Sequence, residues 1–100
     1  MKRDKLIIPK EPLAEFCRRN HIRKLSLFGS VLREDFGPES DVDVLYEVEP
    51  GHAVGLEIMD MEEELSRLLG GKKVDLVNAK YLNRRLRDRV LAEAEVQYAT

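Results

Sequence analysis

A single cysteine, Cys17, in one hundred residues excludes an internal disulfide and any cysteine-based zinc cluster. It stands beside Phe16 on a helical pattern, so a buried apolar thiol is expected. Long apolar runs are also missing. None approaches the roughly 18 residues of a membrane span, and the basic start "MKRDK" is followed by too few apolar residues before Pro9 for a signal peptide. The cytoplasm is the expected compartment, with no membrane partner. Charge of one sign is lacking too: a net charge of -2 sets up no field that would gather nucleic acid. A polyanion binding here must be held by metal ions or by a local patch. No internal repeat, low-complexity stretch or linker divides the chain, so one domain spanning residues 1–100 with one modest core is expected.

What the chain does have is an alternation of helical and strand periods, the mark of α/β layering. Pro12 suits a first helical residue, and Leu13, Phe16, Cys17 and Ile22 mark an apolar side before Asn20 and His21 end the helix. "KLSLFG", Lys24 to Gly29, reads as a first strand. Ser30 opens a brief helical turn, which "FGPES" breaks, and "DVDVLYEV", Asp41 to Val48, reads as a second strand. Val54, Ile58, Met61, Leu65, Leu68 and Leu69 then recur at helical spacing until Gly70-Gly71 stops them. "KKVDLVN", Lys72 to Asn78, supplies a third strand. Leu82, Leu86 and Val90 predict a final helix from about Lys80 to Gln97, with Arg84, Arg85, Arg87 and Arg89 spread around it as a solvated face. The predicted order is α-β-α-β-α-β-α, a small mixed α/β (α+β) sheet flanked by about four helices.

The connections constrain the topology. A strand, a long helix and a strand joined by short loops form a parallel crossover, so the second and third strands should run together. Asp41 and Asp43 open the second and Asp75 stands near the start of the third. If the first strand runs antiparallel to the second, its Gly29-Ser30 exit lies at the same edge.

Residues two apart on a strand share a face and stand roughly 6 to 7 Å apart, so Asp41 and Asp43 face one way. Two carboxylates so placed repel each other, and a divalent cation resolves the conflict. Magnesium takes hard oxygen ligands and typically combines one or two carboxylates with substrate phosphate oxygens. With Asp75 as a third ligand, the set suits two ions roughly 3.5 to 4 Å apart, the arrangement used for in-line displacement at phosphorus. Gly29 lets backbone approach a phosphate, and Ser30 offers a hydroxyl at a helix N-terminus, so the pair would grip a nucleoside triphosphate. Each feature has an ordinary reading: a serine N-cap after a turn, an Asp-x-Asp ending a loop, an Asp75 paired with Lys72 or Lys73. Their meeting at one edge is what points to chemistry. His21 and His52 stand apart with no ligand spacing, and no role is expected of them.

Gly-Ser, ten residues, Asp-x-Asp and a later strand aspartate resemble the pattern of the nucleotidyltransferase superfamily that includes DNA polymerase beta. "LFGSVLRE" and "SDVDVL" are similar to the minimal nucleotidyltransferases, MntA-type antitoxins paired with HEPN-domain toxins of the HepT type. The resemblance covers nearly the whole chain. It implies that Gly29 and Ser30 contact the triphosphate, with Arg33 within reach of the phosphates, and that Asp41, Asp43 and Asp75 hold two Mg2+ ions. It further implies that ATP is the donor, a tyrosine hydroxyl on the partner toxin the acceptor, and silencing of a ribonuclease the outcome. Asp75 would also help to deprotonate that hydroxyl. Glu34 follows Arg33 where many relatives have glycine, which alters the flexibility of the loop. Against catalysis stands an antitoxin that merely occludes its toxin, using the Val54–Leu69 helix or the basic "RRLRDR" segment. Attack by RNA or a small molecule would need additional domains for which this length has no room.

Overall fold

The computed structural model describes residues 8–29 and 41–100. The first helix, α1, runs Lys10–Arg19, because Leu13, Phe16 and Cys17 fall on one side and are buried there. Glu11 in its first turn and Arg18 and Arg19 in its last complement the helix dipole. Its N-cap is Pro9, so the helix begins at Lys10, two residues earlier than expected from Pro12. Pro12 is accommodated because an amide in the first turn has no intrahelical partner to lose. Ile22, predicted on the helix, is instead the first residue of the next strand.

Strands β1 (Ile22–Phe28) and β2 (Val42–Val48) pair antiparallel, and β2 pairs parallel with β3 (Val74–Asn78). Between β2 and β3 lies α2 (Ile58–Leu68), which buries Met61 and Leu65. It begins one turn later than its apolar spacing suggested. Gly51 and Gly55 disfavour helix ahead of it, and Val54 reaches the core from outside any helix. The predicted parallel run of β2 and β3 is thus found, and the condition that β1 run antiparallel to β2 is met.

The C-terminal quarter departs from expectation. In place of one helix from Lys80 to Gln97, a 3-10 turn (Ala79–Tyr81) leads to α3 (Arg84–Glu93) and then to a fourth strand, β4 (Glu95–Ala99). The Asn83 side chain caps α3 by accepting the Arg85 amide at 2.9 Å. Ala94 turns to extended backbone, φ -68 and ψ 144, and β4 pairs antiparallel with β1. That pairing satisfies the outer backbone groups of β1, which outweighs the helical spacing of the preceding residues. The element order therefore ends in a strand, and the sheet reads β3-β2-β1-β4. The helical turn expected after Ser30 lies outside the described residues, which hold three α-helices.

The sheet separates two apolar clusters. On one face Val42, Val44, Tyr46, Leu25 and Leu27 pack with Leu13, Phe16, Met61 and Leu65 of α1 and α2. On the other, Leu45, Ala79 and Val90 form a smaller cluster under α3, joined by Phe28 and Val77. β3 is an edge strand, and α2 guards it: the Leu76 amide donates to Glu62 Oε2 at 2.9 Å. This bond fixes β3 against α2 and with it the position of Asp75.

Candidate functional site

Alternation along β2 decides which side chains reach which face. Val42, Val44 and Tyr46 belong to the larger core, so Asp43 and Leu45 point to the α3 side. The same holds on β3, where Val74 and Leu76 are buried in the larger core and Asp75 faces the other way. The parallel register sets Asp43 directly opposite Asp75, with Val42 opposite Val74. Neighbouring strands are about 4.8 Å apart, so the two carboxylates rise side by side from adjacent strands. Asp41 immediately precedes β2 and is exposed, while Asp43 is half-buried. The Val42 amide donates to the Lys73 carbonyl at 2.8 Å, which ties the starts of the two strands together beneath the acidic residues.

The end of β1 meets this place from the other side. Phe28 is the register partner of Asp43, and the chain leaves the strand at Gly29 with φ +78. A side-chain carbon at Gly29 would overlap the Asp43 carboxylate, standing 3.2 Å from its Cγ as well. Glycine is required twice here, by the left-handed backbone and by the closeness of the carboxylate. Gly29, Asp43 and Asp75 are thus brought together at one sheet edge, with Asp41 at its approach. Ser30 and Arg33 lie outside the described residues. The donor types suit a hard cation: the Asp43 and Asp75 carboxylates stand on one sheet face, with Asp43 against the bare Gly29 turn. Magnesium is the ion that such oxygens fit.

A parallel β2–α2–β3 unit with paired aspartates at its strand starts, and a glycine exit from an antiparallel neighbour, form the arrangement expected of a nucleotidyltransferase. Residues 11–100 match the family model described as polymerase beta, nucleotidyltransferase, and the chain belongs to that family. A Methanocaldococcus jannaschii protein named as a protein adenylyltransferase is 31% identical over 85 residues, covering 85% of this chain and 89% of the relative. The protein adenylyltransferase MntA of Thermococcus cleftensis is 35% identical over 79 residues, covering 79% and 78%. Among solved structures, a toxin-antitoxin with AMP-PNP superposes with a TM-score of 0.74 at 18% identity, over 93% of this chain and 75% of that one. A Shewanella oneidensis complex of a tri-AMPylated HEPN toxin with its MNT antitoxin gives a TM-score of 0.65 at 18% identity, over 91% and 70%. These two likenesses are of fold.

Other residues behave as elementary chemistry requires. Cys17 is fully buried, and desolvation pushes its thiol up to about 12 despite the opposing pull of Arg18. Burial likewise raises the Tyr46 phenol, with a smaller opposing effect from its hydrogen bond to Asn78. No helix among the described residues is long and apolar enough to cross a membrane.

The expectation that His21 and His52 stand apart is wrong. Their rings stack with centroids 3.8 Å apart and planes 10° from parallel, beside Glu49. The sequence signal was weak, since the histidines are far apart along the chain. "EPGH" carried part of it: a carboxylate and an imidazole separated by a Pro-Gly turn.

Proposed function

We propose that this chain transfers AMP from ATP to a tyrosine hydroxyl of a HEPN-domain toxin and so acts as its antitoxin, working in the cytoplasm with residues 1–100 as one minimal nucleotidyltransferase domain. The observation that carries this reading is the register of Asp43 against Asp75, with Gly29 bare beside the Asp43 carboxylate. The names of the two relatives and the AMPylated toxin of the Shewanella complex support the same activity and the same kind of partner.

In this mechanism the Gly29 backbone meets the triphosphate beside the Asp43 carboxylate, while Ser30 and Arg33 hold the outer phosphates. Asp41, Asp43 and Asp75 would hold two magnesium ions, whose contribution is to neutralise charge on the triphosphate and to orient it. Asp75 accepts the proton of the acceptor hydroxyl. The hydroxyl oxygen forms a bond to the α-phosphorus as the bond from that phosphorus to the bridging oxygen breaks, and pyrophosphate departs. The rate enhancement comes from positioning and from charge stabilisation, the main resources of phosphoryl transfer.

A second reading, neutralisation by occlusion alone, draws on exposed apolar side chains at the start of α2 and after β3. Leu56, Met59 and Tyr81 are 91%, 71% and 76% exposed. Such side chains suit a protein interface, which a transferase acting on a protein also needs. Cells carrying the toxin separate the readings. The Asp41→Asn, Asp43→Asn double variant should still bind the toxin but fail to protect growth; full protection by that variant would favour occlusion and overturn catalysis.

A further inference from the structure

We propose that His21, Glu49 and His52 form a second metal site, selective for a borderline transition ion such as Zn2+ and independent of the aspartates. The two histidines and the glutamate each offer one ligand atom, and those atoms all lie within 4.8 Å of one another. Two imidazole nitrogens and one carboxylate oxygen are a donor set that zinc accepts readily, with water completing a tetrahedron. Magnesium, which favours oxygen alone, has little use for it.

The backbone assembles this triad. His21 sits just past the end of α1 with φ 58, a left-handed conformation uncommon for a side chain of this size. Its carbonyl accepts the Glu49 amide at 2.8 Å, and the Glu49 carbonyl accepts the His52 amide at 3.1 Å. The second bond closes a four-residue turn, Glu49-Pro50-Gly51-His52, with proline at its second position and Gly51 at φ +89, the pattern of a type II turn. Both ends of that turn are ligands, and the first is fastened to the third. His21 Nδ1 is 3.8 Å from Glu49 Oε1, longer than a hydrogen bond, so ligation need not break a direct bond between them. Arg19, which lines the adjoining cavity, has its guanidinium engaged by Glu64, so its charge is answered elsewhere.

Ligation demands one adjustment. Imidazole lone pairs lie in the ring plane, and two nearly parallel rings 3.8 Å apart cannot both aim at an ion about 2.0 to 2.1 Å from each nitrogen. Metal binding must therefore turn at least one ring and break the stack. The side chains of His21 and Glu49 are about half exposed, and the whole of His52 is exposed, so the turn meets little resistance. Once closed, the site would clip the α1–β1 corner to the β2–α2 connection. It lies at the far end of β1 and β2 from Gly29 and Asp43, six to eight residues away along the strands at about 3.3 Å each.

The test titrates zinc sulfate into the Asp41→Asn, Asp43→Asn protein, whose acidic end has lost two of its three carboxylates, and follows heat and thermal midpoint. One Zn2+ per chain and a raised midpoint are expected. Adding His52→Ala, or His21→Asn, which tolerates the left-handed backbone while removing the imidazole, should weaken binding at least about tenfold. The histidine ring proton signals of the parent should shift on saturation. Equal zinc affinity with and without the imidazoles, or no binding by the parent, would overturn the proposal.

Discussion

The two ends of the β1–β2 hairpin are built from the same strands and present opposite chemistry. At one end Asp43 and, from β3, Asp75 set carboxylates on the α3 side of the sheet beside Gly29, with Asp41 at the approach. At the other, His21, Glu49 and His52 gather nitrogen and oxygen around a Pro-Gly turn. The acidic end depends on register between strands, since Asp43 and Asp75 meet only if β2 and β3 align as they do. The imidazole end depends on turns, through φ 58 at His21 and φ +89 at Gly51. Register is fixed by a buried face and resists slipping, because a one-residue shift would turn Val42 and Val44 out of the core. Turns carry no such guarantee, so the acidic end is the more tightly determined of the two.

The largest expected effect separates the ends outright. Asp43→Asn should lower AMP transfer by about 10³-fold, in the range seen when a transition-state charge stabiliser is lost, while zinc binding at the far end is unchanged in the same preparation. Next comes Gly29→Ala. Its methyl group meets the Asp43 carboxylate, and its backbone conformation is unfavourable for alanine by about 1 to 2 kcal/mol. A displaced carboxylate should cost about 10²-fold in steady-state transfer, with a modest fall in melting temperature.

Glu62→Ala acts on the scaffold. It leaves the Leu76 amide without its carboxylate partner and should cost about 1 to 3 kcal/mol by chemical denaturation. Because Glu62 anchors the edge strand that carries Asp75, transfer should suffer while the imidazole end is spared. The smallest effect is alkaline. Cys17 stays protonated in the folded chain until about 12, whereas an unfolded thiol releases its proton near 9.0. Folding stability from this group is complete below about pH 9 and declines as pH rises through that window, with Tyr46 acting in the same direction. Denaturation midpoints measured at pH 8 and pH 10 should differ accordingly, and Cys17→Ala should remove part of the difference.

How much of this was legible beforehand depends on how local the signal was. β2 and β3 could be read because β-branched residues flank single aspartates, and the acidic edge followed once the crossover made them parallel. Cys17 was readable from its place beside Phe16 on an apolar helix side. β4 was not, because Leu82, Leu86 and Val90 keep helical spacing and no glycine or proline marks the break at Ala94. What ends α3 there is the open edge of β1, a tertiary demand that local spacing does not carry. The histidine pair escaped for a related reason: antiparallel pairing of Ile22 with Val48 brings His21 to Glu49, and only then does the turn deliver His52.

The most direct test of the acidic end as a transfer site is the intact mass of the HEPN toxin after incubation with ATP, magnesium and either this chain or its Asp75→Asn variant. The account predicts toxin heavier by whole AMP units with the parent and unmodified toxin with the variant over the same time. Equal modification by both would contradict it.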